Sequence, residues 1–113
     1  MISEYKFGKM IVDGNAYFHD LILTPGGVIP DWWRKESHRL DIEDIRSVLD
    51  TQQPEILVVG TGKFGLMKIP AETRAWLKSK GIELVAERTT QAVHRYNHLV
   101  QNRKVVGAFH LTC

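Results

Sequence analysis

Four consecutive aliphatic residues, Ile56-Leu57-Val58-Val59, run directly into Gly60-Thr61-Gly62-Lys63-Phe64-Gly65. An unbroken aliphatic run predicts a strand buried on both faces. Three glycines just beyond it permit backbone shapes that other residues resist. Pro70 then opens a helix, where its missing N–H would be unpaired anyway. That helix, Ala71 to Lys80, stops at Gly81. A second aliphatic run, Ile82 to Val85, follows it. Strand, helix and strand within about 30 residues is the usual minimum for a crossover between parallel strands.

The pattern continues. Thr89 or Thr90 caps a third helix, Gln91 to Gln101, with Ala92, Val93, Tyr96, Leu99 and Val100 as its apolar face, and Val105 to Phe109 reads as a last strand. The C-terminal half is therefore β-α-β-α-β, with its three strands parallel through right-handed crossovers. Ile56 to Val59 is expected at the centre, flanked by Ile82 to Val85 and Val105 to Phe109. Asn97, a poor helix former late in its helix, is expected to hydrogen-bond the backbone of a neighbouring loop.

Upstream, Lys9 to Val12 and Tyr17 to Leu23 read as strands joined across Asp13-Gly14-Asn15, and Thr24-Pro25-Gly26-Gly27 breaks the second. Val28 to Leu40 is irregular and carries Pro30, Trp32, Trp33, Arg34 and His38. Asp41 caps a short amphipathic helix over residues 42 to 51.

A length of 113 residues suits one domain spanning residues 1–113. Net charge is only +2 and no basic run occurs, which gives no reason to expect nucleic acid or membrane partners. The one cysteine, Cys113, excludes an internal disulfide and suits a reducing compartment. Met1 to Lys9 hold no apolar core of signal-peptide length, so the cytoplasm is the expected location.

Gly60-Thr61-Gly62-Lys63-Phe64-Gly65 fits the Gly-x-Gly-x-x-Gly pattern of dinucleotide sites, with Glu83 or Glu87 near the place of a ribose-binding acid. The context argues against that chemistry. In such sites the glycine loop runs straight into a helix whose N-terminus faces the pyrophosphate, whereas here Leu66 to Ile69 intervene. The remaining readings are a tight turn, or a nest of backbone N–H groups holding a small anion beside Lys63. His94 and His98 stand one helical turn apart, but no zincin Glu lies between them and only His110 and Cys113 are candidate further ligands, so no metal is expected. His110 with Cys113 resembles a nucleophile pair without an acid to orient it. Trp32, Trp33 and Arg34 fit two readings: an interface anchor, or one Trp plugging the core edge while the other covers a loop.

Thr90-x-Ala92-Val93-x-x-Tyr96-Asn97-x-Leu99-Val100 followed by Val105-Val106-Gly107-x-Phe109-His110-x-Thr112-Cys113 resembles the C-terminal signature of a small α/β family of unknown function. That family includes an adipogenesis-associated cytosolic protein and a mitochondrial complex I assembly factor. Pro25-Gly26-Gly27, Trp33-Arg34, His38 and Val59-Gly60-x-Gly62 extend the resemblance over nearly the whole chain, and the pattern is closest to the adipogenesis-associated branch. The resemblance implies a three-layered α/β domain: a central mixed sheet with helices packed on it and a small N-terminal β element. It supplies no catalytic residues and no cofactor.

The functional expectation is accordingly a non-enzymatic protein-interaction or assembly module with an unidentified protein partner. The alternative is a small-anion or small-ligand binding protein. Its pocket would lie at the carboxyl edge of the parallel strands, built from Gly60, Thr61, Gly62 and Lys63, with Thr90 at a helix start and Arg34 or His38 folding over from the Trp-containing loop. Those groups sum to a positive site for an anion or a carboxylate. The sequence sets no oligomeric state.

Overall fold

The computed structural model describes residues 1–113. Its elements in chain order are β1 (Ile2–Lys6), β2 (Lys9–Val12), β3 (Asn15–Tyr17), β4 (Leu21–Thr24), β5 (Gly27–Ile29), α1 (Ile42–Gln52), β6 (Ile56–Thr61), α2 (Ala71–Ser79), β7 (Glu83–Glu87), α3 (Thr89–Leu99) and β8 (Val105–His110). A mixed sheet runs β5-β4-β8-β6-β7, and a smaller one runs β1-β2-β3. β6 pairs in parallel with β7 on one side and β8 on the other. β4 joins antiparallel to β8 and to β5. The aliphatic run is therefore central, and Ile56 to Val59 are at most 1% exposed.

A strand inserted between two layers must bury both of its faces, and β6 divides its side chains accordingly. Ile56 and Val58 join a core with Ile2, Met10 and Val12 of the small sheet and Ala92, Val93 and Tyr96 of α3. Leu57 and Val59 join a second core with Ile45 and Leu49 of α1, Leu77 of α2, and Trp32, Leu40 and Met67. β8 alternates likewise, Val105 and Phe109 to the first, Val106 and Ala108 to the second. The result is three layers: the small sheet and α3, the mixed sheet, then α1 and α2. No helix is long and apolar enough to cross a membrane.

Two readings of the N-terminal half need correction. The expected strand Tyr17 to Leu23 is broken at Phe18–Asp20. β3 ends at Tyr17 in the small sheet, while β4 begins at Leu21 in the large one. The Asp13-Gly14 turn does form, with both residues at positive φ. β1, at the other edge of the small sheet, was unforeseen, because Ile2 to Lys6 alternates poorly in polarity. α3 starts earlier than expected, with Arg88 at its N-cap. Thr89 does not cap it, because its hydroxyl is taken up elsewhere.

Asn97 grips β1. Its carboxamide oxygen accepts from the Ile2 N–H at 3.0 Å and its amide nitrogen donates to the Ile2 carbonyl at 2.7 Å. The partner is a strand rather than a loop, and the pair fastens the small sheet to α3.

Candidate functional site

The antiparallel register of β4 and β8 sets Leu21 opposite Phe109, which brings Asp20 beside His110. Asp20 Oδ1 accepts from the Leu111 N–H at 2.7 Å. Its Oδ2 lies 2.7 Å from His110 Nδ1 and 2.8 Å from Arg34 Nη2. A contact that short between a carboxylate and a ring nitrogen requires a proton between them, so His110 carries its hydrogen on Nδ1. Burial opposes ionisation of Asp20, but hydrogen bonds from His110, the Leu111 N–H and Arg34 outweigh it and hold the carboxyl below its ordinary value.

Arg34 arrives from the irregular segment after β5. The Trp32 N–H donates to the Asp20 carbonyl at 2.8 Å, and the Trp32 indole N–H donates to the Asp44 carbonyl at 3.0 Å. The Arg34 guanidinium sits 4.6 Å from the Trp32 ring centroid, a cation–π arrangement. Its Nε and Nη2 both donate to the Ser37 carbonyl. The Arg34 side chain is only 2% exposed and that of His110 5%. Of the two tryptophan readings, Trp32 plugs the core edge at 7% exposure while Trp33 stands out at 77%.

A cavity of about 200 Å³ opens at this place, lined by Phe18, Asp20, Trp33, Arg34, His110 and Thr112 among others. Two of the residues that line it each carry one buried polar atom without a partner, Arg34 Nη1 and His110 Nε2. His38 packs edge-on against His110, with ring centroids 5.6 Å apart.

The glycine loop is differently employed. The Gly62 N–H donates to Thr89 Oγ1 at 2.8 Å, and that hydroxyl donates in turn to the His110 carbonyl at 2.7 Å. The Lys63 and Leu66 N–H groups donate to the Thr112 and Cys113 carbonyls. A Cβ on Gly62, whose φ is +105°, would overlap the Cys113 carbonyl carbon. The N–H groups of Gly62, Lys63, Gly65 and Leu66 are thus spent inside the chain, on Thr89, the C-terminal tail and the loop itself, and not held out to an anion. Thr61 turns its hydroxyl to the Glu87 carbonyl. Gly60 has no room for a side chain against Thr89 and Phe109.

Of the residues expected to form a pocket, Arg34, His38 and Gly62 meet around His110: the first two as above, and Gly62 close to the ring's Cδ2. Lys63 is exposed beyond them. Thr90 lies elsewhere, in a shallow depression with Ile2, Tyr5 and Asn97. The expected sum of positive charge is also changed, since Arg34 is already paired with Asp20. Sequence reasoning missed Asp20 and weighed His110 only beside Cys113. The acid it lacked stands 90 residues away and is delivered by strand register. No hydrogen bond joins Cys113 to His110, and no group of three or more His, Cys, Asp and Glu side chains is gathered for a metal.

Several aromatic side chains are exposed, of which Phe18 and Trp33 line the cavity. Phe18 is 61% exposed, Phe64 58% and Phe7 52%. Phe7 and Phe64 pair at 6.3 Å, and Trp33 lies 6.0 Å from the His19 ring. The Gly8 N–H donates to the Leu111 carbonyl, which brings the Phe7 turn to the same end of the molecule. Lys6, Lys63 and Arg88 nearby form no ion pair.

A family model described as protein of unknown function (DUF498/DUF598) matches residues 2–110. Among solved structures, a conserved hypothetical protein from Pyrococcus horikoshii is 24% identical, with 100% of this chain and 99% of that chain covered and a TM-score of 0.85. An outer membrane protein from Bartonella henselae is 27% identical over 99% of this chain and 94% of its own, at a TM-score of 0.82. The Rpa2829 protein from Rhodopseudomonas palustris is 25% identical over 97% and 82%, at 0.79. These likenesses establish the fold, and a fold alone carries no activity.

Proposed function

The chain belongs to the DUF498/DUF598 family of proteins of unknown function, and from that premise we propose that it is a non-enzymatic recognition module that docks an acidic protein segment bearing an apolar residue. One observation carries the reading. Phe7, Phe18, Trp33 and Phe64 are each more than half exposed: Phe18 and Trp33 line the cavity beside His110, and Phe7 pairs with Phe64 on the turns that hydrogen-bond the segment after β8. Exposed aromatic clusters of this kind are the usual anchors of protein interfaces. The unpaired Lys6, Lys63 and Arg88 beside them favour an acidic partner by charge complementarity. The resemblance to the adipogenesis-associated and complex I assembly proteins is in keeping with an assembly role, and the cytoplasm is its proposed location. The Asp20–His110 pair serves as a structural pin in this reading, joining the start of β4 to the end of β8.

Peptide-display selection on the whole chain tests the proposal. Acidic peptides carrying an aromatic or aliphatic residue are expected to enrich, and to be lost on a Trp33→Ser/Phe64→Ser double variant. Both side chains are largely exposed, so the variant is expected to keep its melting temperature. Enrichment without acidic residues, or equal binding by the variant, refutes the reading. A second reading, a small-ligand site in the cavity itself, is favoured by its two partnerless polar atoms.

A further inference from the structure

The unmet valences in the cavity define a ligand more narrowly than its shape does. Asp20 is fully engaged by Leu111, Arg34 and His110. With Nδ1 protonated toward Asp20, a neutral His110 presents Nε2 as a lone-pair acceptor. Arg34 has committed Nε and Nη2, leaving the two N–H bonds of Nη1. The walls thus lack one acceptor for Arg34 and one donor for His110. Their charge is already balanced, Arg34 against Asp20.

We propose that this cavity binds a neutral carboxamide, whose oxygen accepts from Arg34 Nη1 and whose N–H₂ donates to His110 Nε2. A carboxylate offers no donor to Nε2 and would add a second negative charge beside Asp20, unless His110 took up a proton. A purely apolar group leaves both wall atoms unpaired, which buried sites penalise. At about 200 Å³ the cavity is below the ~300–1,000 Å³ of drug-sized pockets, so the occupant is a fragment or a single side chain. Phe18 and Trp33 at the rim suit a planar group. Both wall atoms are covered in the unliganded chain. Binding therefore requires a local movement that uncovers them. The inference rests on the cavity and not on the aromatic collar: a chain that docks no protein would still bind the amide.

The test uses the full chain, titrated with benzamide, with its isostere benzoate, and with acetylated glutamine amide as a side-chain mimic, while the imidazole nitrogens are followed by NMR. Benzamide or the glutamine mimic is expected to shift the His110 Nε2 resonance and to bind at least about tenfold more tightly than benzoate at neutral pH. The tighter of the two amides identifies the source, a free molecule or a protein side chain. Arg34→Lys, which keeps the charge and loses Nη1, is expected to weaken amide binding about tenfold. The wild-type titration stands by itself if that variant fails to fold. An unshifted Nε2 resonance with both amides, or benzoate binding better than benzamide with proton uptake, overturns the proposal.

Discussion

Thr89→Val isolates a single hydroxyl that joins three elements. Thr89 has no exposed surface. Its Oγ1 accepts from the Gly62 N–H at 2.8 Å and donates to the His110 carbonyl at 2.7 Å. Valine has nearly the same shape, so the substitution removes both bonds without opening a cavity. Each buried group left without its partner costs about 1–3 kcal/mol, which gives about 2–6 kcal/mol for the pair. The added methyl returns about 1 kcal/mol at most. Against a total stability of about 5–15 kcal/mol the loss is severe. With the methyl's return subtracted the loss is about 1–5 kcal/mol, so at roughly 4 °C per kcal/mol for a chain near this size the melting temperature falls by about 4–20 °C. Thr89→Ser keeps the hydroxyl and loses one methyl, so its expected loss is only about 1 kcal/mol. Urea unfolding followed by circular dichroism measures both variants, with the slope checked for constancy. If Thr89→Val proves as stable as Thr89→Ser, the hydroxyl is not what fastens the glycine loop to the final strand.

Asn97→Ala deletes both hydrogen bonds to Ile2 and is expected to destabilise by about 1–3 kcal/mol; a change within about 0.5 kcal/mol by urea unfolding contradicts the grip on β1. Asp20 has a folded-state pKa below its unfolded value of about 3.9, so its contribution is present above that pH and is lost as pH falls through the folded value. The stability gap between wild type and Asp20→Asn should therefore narrow below about pH 4, and a gap unchanged down to about pH 2 removes Asp20 from the acid response.

The C-terminal half was legible because its signals are local. An aliphatic run, a helix-opening proline and a stop glycine each report on their own few residues, and crossover handedness then orders three strands. The N-terminal half defeated the same method at Phe18–Asp20, where a continuous β-prone run changes sheets. Nothing local marks that break, since its cause is Asp20 reaching His110 and the Leu111 N–H. Arg34 and His38 were singled out from their company in the Trp segment, and they do meet around one ring. Asp20 carried no motif at all. The glycine loop misled in another way. Its spacing advertises free N–H groups, but whether they are free depends on which chain segment lies alongside, and here Thr112 and Cys113 do.

The division of β6 and β8 between two cores has a spectroscopic consequence. All three tyrosines, Tyr5, Tyr17 and Tyr96, belong to or pack on the layer shared by the small sheet and α3. Of the three tryptophans, Trp32 and Trp76 lie on the opposite layer and Trp33 is in solvent. Tryptophan emission and tyrosine absorbance therefore watch opposite faces of one sheet, with no engineered probe. Overlaid during denaturation, they register whether the two layers come apart together or in turn, and a variant such as Asn97→Ala, which loosens only the tyrosine side, should pull the two traces apart.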